Sequence, residues 1–369
     1  LDYPLMYTVF APFFEIADRW SFLSLRQHEV MLIWLCAGWV LFRICRNRNA
    51  QWNIFHALKE FGYFAGYLAA VACAAALVTL VPRPMAALKS LDPDIMLCDF
   101  HSHTSYSWDA RKSFTPERNL DWHSRAGFDA AFITDHNVFD GSEQSASRTQ
   151  ALSGGIVSMR GEEVSLHRSH WAVLGVEKVI SNSLYDSGLD GVRIFLSEMN
   201  KPPKPVVVAS LPEYWLNNWG EGVSNLAAWG ADGFEIVNSA PIALDFPPSL
   251  RRQMVEFCRE RNLIVTGITD SHGWGSSCYV WNAVRLPGWR QIPRAKLESA
   301  LLHQLRAKKF EAVKVIVRVQ AVSPENIFAL ALDPLRQAWE GARSMPLTHA
   351  TVSLLWIWIP WGIYRKIRS

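Results

Sequence analysis

Four short stretches put imidazoles and carboxylates at spacings that suit a metal ion: His101-Ser102-His103, Asp135-His136, Glu162-Glu163 and Asp270-Ser271-His272. Side chains alternate along an extended segment, so the two imidazoles of His101-x-His103 share a face and can reach one ion. Asp270-x-His272 has the same geometry. Imidazole plus carboxylate is a ligand set for Zn, Mn or Fe, and a carboxylate can bridge two such ions. Ions held this way activate a bound water and neutralise charge on substrate oxygens, a hydrolytic chemistry that needs no Ser or Cys nucleophile. Ser102, Ser105 and Ser107 lie near the first pair without a His–Asp arrangement specific enough for a triad.

The elements that must position these groups are readable around them. IMLCDF runs into His101 and His103, DAAFIT into Asp135 and His136, IVSMRG into Glu162 and Glu163, and LIVTGI into Asp270 and His272. HWAVLG, PVVVAS and GFEIVN are three further apolar runs of strand length. Between several of them lie helix-like stretches at Pro116–Ala126, Gly191–Met199, Pro248–Arg261 and Arg294–Lys308. This alternation predicts an α/β fold: parallel strands joined by crossover helices and closed, or nearly closed, into a barrel of about seven strands. The chemistry then collects at the C-terminal rim, where such a barrel carries its active site. His123 and His303 sit in helix-like stretches and are expected on the solvated surface.

Half of the 369 residues are apolar, 19% are charged and 17 are Trp, which excludes a disordered or collagen-like chain. Residues 1–90 carry eight Lys/Arg against five Asp/Glu and residues 341–369 carry four against none, so the net +3 of the chain leaves −4 for residues 91–340. An acidic middle lacks the basic footprint of a nucleic-acid scaffold. Cys98, Cys258 and Cys278 show no paired spacing, and Cys36, Cys45 and Cys73 fall in apolar segments, so cysteine usage does not report the redox compartment.

Those apolar segments predict membrane attachment. Residues 62–81 form a run without charge between Glu60 and Arg83, about one hydrocarbon thickness as a helix. Residues 30–44 fit a first span with Arg43 snorkelling at its end. Residues 346–364, closed by Arg365, Lys366 and Arg368 and interrupted by Pro360, predict a third short span or an interfacial anchor, preceded by a helical linker over 321–345. Arg43, Arg46, Arg48 and Lys59 outnumber Arg83 and Lys89, which places the first loop and the basic tail in the cytoplasm and the catalytic domain, residues 91–320, outside it.

The run DFHSHTSYSWDA, then ITDHN, GEEVS with HWAVLG, GFEIVNS and GITDSHGW resembles the PHP (polymerase and histidinol phosphatase) superfamily over about residues 95–312. Within it the form is similar to the carbaryl-hydrolase-type group. The resemblance implies a distorted seven-stranded α/β barrel with up to three divalent ions at its rim and, usually, phosphoester hydrolysis. It implies that His101, His103, Glu163 and Asp270 bind one ion, that Glu163 bridges to a second ion held by His170, and that Asp109, His136 and His272 bind a third. Glu163 is preferred to Glu162 because the family pattern is Gly-x-Glu, set here by Gly161. Asp99 and Asp135 resemble carboxylates that orient imidazoles.

One position departs from the pattern. The family's His-Pro after the fifth strand is replaced by Ser210-Leu211-Pro212, so the second site is short of a ligand unless Glu213, His167, Glu162 or water completes it. The expected activity is that of a membrane-anchored, metal-dependent hydrolase with two or three divalent ions, acting on a small and phosphorylated substrate. Asp270, His272 and His170 are the candidates for catalytic roles. A carbamate, ester or amide hydrolase on the same site is the nearest alternative, and a degenerate binding or sensing module, suggested by Ser210, is a third. Trp274, Trp215 and Trp219 are candidates for the pocket wall.

Overall fold

The computed structural model describes residues 1–49, 53–150, 154–185, 187–218, 221–318 and 322–368. The chain divides into two compact units, Leu1–Pro4 with Met85–Arg318 and Leu5–Pro84 with the C-terminal residues from 322 on.

The larger unit is α/β and holds nine strands: β1 (Ile95–Asp99), β2 (Ala130–Ile133), β3 (Val157–Leu166), β4 (Ser169–Leu174), β5 (Val206–Ala209), β6 (Gly233–Asn238), β7 (Ile264–Ile268), β8 (Val280–Arg285) and β9 (Val313–Val317). They form one sheet in the order β7-β6-β5-β4-β3-β2-β1-β8-β9. Pairs β1–β2, β2–β3, β5–β6 and β6–β7 are parallel. Pairs β3–β4, β4–β5, β1–β8 and β8–β9 are antiparallel.

The expectation of about seven parallel strands is therefore corrected to nine in a mixed sheet. A parallel crossover needs a dozen or more residues, whereas only His167 and Arg168 join β3 to β4. Both take positive φ, 43° and 55°, the twist that a two-residue hairpin demands.

Closure is made by side chains as well as backbone. Asn282 on β8 accepts from Gly267 N at 2.8 Å and donates to Cys98 O at 3.0 Å, which ties β7 to β1 across the gap. Ser102 and Ser271 form a parallel bridge just beyond those strand ends. Gly267 has to be glycine for this approach: a Cβ there would meet Val280 Cγ2 at 2.4 Å and Val315 Cγ1 at 2.6 Å. The result is a nearly closed barrel.

β1, β2, β5, β6 and β7 are buried on both faces, which is why they read as continuous apolar runs. Met96, Phe132, Met159, Val208, Ile264 and Val284 pack with Leu297, Leu301 and Leu305 from the helix Arg294–Lys308. The leucines recur every four residues and so share one helical face, each contributing roughly 1.5–3 kcal/mol on burial. The other expected helices fall at Pro116–Ala126, Leu189–Met199 and Pro248–Glu260.

The second unit is helical. Leu25–Arg46 opens with a capping box between Ser24 and Gln27, and Ile54–Leu80 is capped by Asn53. Among the described residues these two helices, of 22 and 27 residues, are long and apolar enough to cross a membrane. Arg43 does not simply snorkel: it makes a forked pair with Glu60 at 2.7 and 2.6 Å. The C-terminal segment is a helix, Leu347–Arg368, with Pro360 inside it, and it is not one of those two. Buried polar pairs join the first and last parts of this unit, His349 to Glu15 at 2.8 Å and Gln27 to Asp333 at 2.8 Å.

Candidate metal centre

Each motif lies just past the end of its strand, or on it, and the mixed sheet brings them to one place. Glu163 on β3 is the hub. Its Oε2 lies 3.1 Å from His101 Nε2, 3.3 Å from His103 Nε2 and 3.0 Å from His136 Nδ1. Its Oε1 lies 2.7 Å from His170 Nδ1 on β4. Asp270 Oδ1 is 3.1 Å from His103 Nε2. Asp109 Oδ2 sits between His136 Nε2 and His272 Nε2, 3.2 Å from each. All eight expected ligands are thus brought together, and within them three groups have ligand atoms close enough to share an ion: His101–His103–Asp270, His103–His136–His272 and His136–Glu163–His170.

The outer nitrogens of the rings are held as well. His101 Nδ1 donates to Glu235 at 2.7 Å, and His272 Nδ1 donates to the Asp270 carbonyl at 2.7 Å, which points each Nε2 inward. His103 Nδ1 lies 2.9 Å from Ser107 Oγ. The Tyr214 hydroxyl lies 2.9 Å from His170 Nε2.

The residues fit a cation. Neither oxygen of buried Glu163 has an aligned hydrogen bond although four imidazole nitrogens surround it, so the donors aim at shared points between them and not at each other. The electrostatics agree. Burial opposes charge on His136, His170 and His272, but the carboxylates beside them win and push these imidazoles up, to about 10, about 9 and about 9. The same pairs hold Asp109, Glu163 and Asp270 well below the usual carboxylate range against the effect of burial. His103 goes the other way: burial, with His272 beside it, pushes it down to about 3. The cluster is a set of carboxylates that demands positive charge from protons or from divalent ions.

Several expectations about the surroundings change. His123 is fully buried, not solvated: its Nε2 lies 2.9 Å from Asp99, so Asp99 orients that ring and not a ring of the centre. Asp135 works at one remove. It accepts from Thr104 N at 2.6 Å and from Ser107 Oγ at 3.0 Å, and Ser107 in turn touches His103. His303 is exposed, as expected.

Where the sequence departs from the His-Pro pattern it resembles, Ser210 is buried beside Glu235 with its Oγ in no aligned hydrogen bond. His167 stands exposed at the β3–β4 turn. Glu162 points to the opposite face from Glu163, where it accepts from Ile180 N at 2.8 Å and burial pushes it up to about 7. Glu213 alone of the side-chain substitutes reaches the centre, 3.5 Å from His170 Nδ1. Trp215 packs toward Phe246, with centroids 6.4 Å apart, and Trp219 lies outside the described residues. Trp274 is half exposed beside His272.

Sequence reasoning missed Glu235, Asn238, Ser107 and Tyr214. Glu235 carried a signal: a carboxylate in the middle of a strand buried on both faces must have a partner. Asn238, which donates to Asp270 Oδ2 at 3.2 Å, and Ser107 carried none that spacing could reveal.

No family model and no curated protein matches this chain. Among solved structures it is similar to a two-domain protein from Bacteroides vulgatus described as containing a predicted PHP-like metal-dependent phosphoesterase, at 17% identity over 68% of this chain and 74% of that one with a TM-score of 0.42. It is also similar to PsfC from Pseudomonas syringae, at 16% identity over 68% and 100% with a TM-score of 0.42. An amidohydrolase from Chromobacterium violaceum matches at 16% identity over 55% and 96% with a TM-score of 0.33.

Proposed function

We propose that this chain is a metal-dependent hydrolase of the PHP type that cleaves phosphoesters. The observation that carries the reading is Glu163, a buried carboxylate whose two oxygens face four imidazoles with no aligned hydrogen bond. In this reading His101, His103, Glu163 and Asp270 hold one divalent ion, Glu163 and His170 a second, and Asp109, His136 and His272 a third. Zn, Mn and Fe suit these donors. Such ions, when bound, supply an activated water and neutralise charge growing on the substrate.

The protein's own part is orientation. Glu235 fixes the ring of His101, the Asp270 carbonyl fixes that of His272, and Ser107 links His103 to Asp135. Asp270, His272 and His170 line the more open part of the centre, where each retains some solvent exposure while His101, His103 and Glu163 retain almost none. They are the groups placed to meet the attacking water and the leaving oxygen.

Two helices of spanning length support attachment to a lipid bilayer, and the amphipathic helix Asp333–Ser344 adds exposed Leu335 and Trp339 beside exposed basic groups. The positive excess of the loop between the two spans supports a catalytic unit outside the cytoplasm.

The test is metal analysis of purified protein with a substrate panel. Metal-dependent turnover of p-nitrophenyl phosphate, lost on chelation and restored by Zn or Mn, is the expected result. Turnover of a naphthyl carbamate or an amide in its place moves the reaction to that bond, and bound metal without turnover of any ester leaves a sensing module. Labelling of intact cells at a cysteine introduced at Ser183, but not at Asn49, is the expected topology.

A further inference from the structure

Of the tryptophans described in the barrel unit, only Trp108 and Trp274 are exposed, at 78% and 50%. Both adjoin the centre. Trp108 precedes the ligand Asp109, and its ring lies 6.1 Å from that of His136. Trp274 follows His272 by two residues, and the Arg111 guanidinium lies 5.3 Å from its ring. Asp109 Oδ2 lies 3.2 Å from both His136 and His272, so one carboxylate joins the imidazole beside Trp108 to the segment that carries Trp274.

Neither indole is on a loose loop. Ser105 N donates to Phe114 O at 2.7 Å, Phe114 N to Arg111 O at 2.8 Å and Arg111 N to His272 O at 3.0 Å, which closes residues 105–114 on themselves and ties them to the His272 segment. Gly273, at φ 81°, is packed so tightly on Phe114 that a Cβ would meet its ring at 2.4 Å. Two large apolar rings are thus held in water by an ordered frame. An exposed apolar surface next to a hydrolytic centre is what a substrate covers.

We infer that Trp108 and Trp274 bind the apolar part of the substrate, so that the ester cleaved is an amphiphile: an anionic head at the centre and a flat or extended apolar alcohol against the indoles. The inference rests on the hydrolase reading and names its substrate class. Stacking suits an aryl group, an alkyl chain gains area alone, and a polyol gains neither.

The experiment uses metal-loaded full-length protein and three phosphomonoesters with the same head: 1-naphthyl, decyl and glycerol phosphate. The readout is the ratio of kcat/KM for each apolar ester to that for glycerol phosphate. In wild type this ratio is expected to exceed about tenfold; Trp108→Ala and Trp274→Ala should each lower it several-fold, and Trp→Phe should restore part of it. A fall for naphthyl alone makes the bound group aromatic, and a fall for both makes it generally apolar. A ratio unchanged in both Ala variants overturns the inference, whatever the absolute rates do. Binding of naphthylphosphonate against methylphosphonate by calorimetry gives the same ratio without catalysis. An inert enzyme that still shows the preference fails as a hydrolase while keeping the clamp, and an active enzyme without it keeps the hydrolase and loses the clamp.

Discussion

The two flanks of the candidate metal centre are built differently. On the flank of Asp109, His136 and His272, the side chains come from segments after β1, β2 and β7, one carboxylate oxygen meets two imidazoles at equal distance, and backbone hydrogen bonds lock the loops. On the flank of His170 and Ser210, the side chains come from the antiparallel hairpin and the end of β5. One imidazole meets Glu163 there, Ser210 Oγ is buried in no aligned hydrogen bond, and Glu213 stands off at 3.5 Å. The parallel strands fix where their following residues go, since their C-terminal ends share a rim. β4 runs against both its neighbours and brings His170 in from its own N-terminal end, and it is on this flank, at Ser210 after β5, that the sequence departs from the pattern it resembles.

The change that breaks both flanks at once is expected to cost most. Glu163→Gln keeps the shape and removes the charge shared by both, so metal-dependent turnover should fall by on the order of 10³-fold or more, with loss of at least one bound ion by metal analysis. Asp270→Ala should abolish turnover while leaving the fold by circular dichroism. Activity retained in Glu163→Gln removes the hub from the mechanism, and activity retained in Asp270→Ala removes Asp270.

Glu235→Gln sharpens the comparison one step out. The amide still accepts from His101 Nδ1 but no longer raises the basicity of the ring, and metal affinity should fall by about 10–100-fold. Glu235 Oε2 is buried in no aligned hydrogen bond beside Ser210, so a loss confined to one ion shows which flank Glu235 serves.

The pH dependence of stability follows from the imidazoles. In metal-free protein the neighbouring carboxylates push His136, His170 and His272 up, to about 10, about 9 and about 9, from about 6.5 in the unfolded chain. Groups raised on folding contribute stability that is fully present below about 6.5 and is lost as pH climbs through 9. In the proposed reading metal takes the place of those protons, so its affinity is expected to rise over the same window. Thermal unfolding with chelator should therefore show Tm falling between pH 6.5 and 9, and the gap to metal-loaded protein widening. A constant gap means that the imidazoles do not bind the ion.

The core of this arrangement was legible because it rests on local pattern. His101-x-His103 and Asp270-x-His272 need only strand alternation, and the eight expected ligands meet. What failed needed tertiary knowledge. β8 has polar Asn282 in its middle, and nothing local says that this side chain ties β7 to β1. His123 looked like a helix surface residue because its partner, Asp99, lies on β1. The β3–β4 turn has neither Asn-Gly nor any glycine, so the hairpin had no local turn signal. Ser107 and Asn238 are loop and strand-end residues whose partners the fold alone brings close.

The smallest effect is expected at Ser210, and it decides what the weaker flank is. If one imidazole and one bridging carboxylate are all that this flank offers, its ion is bound more weakly than the others, because a site loses affinity steeply when a ligand is replaced by a hydroxyl or water. Ser210→His should then add up to one equivalent of metal and change turnover modestly. Glu213 gives the competing outcome, since its carboxylate needs to move only slightly from 3.5 Å of His170 Nδ1 to share an ion with Glu163. In that case wild type already holds three ions, Glu213→Gln removes one of them, and Ser210→His rescues the Gln variant while adding nothing to wild type. Titration calorimetry on the four combinations separates the two. Equal metal content in all four would mean that neither residue is a ligand, and that the flank of His170 binds its ion through Glu163, His170 and water.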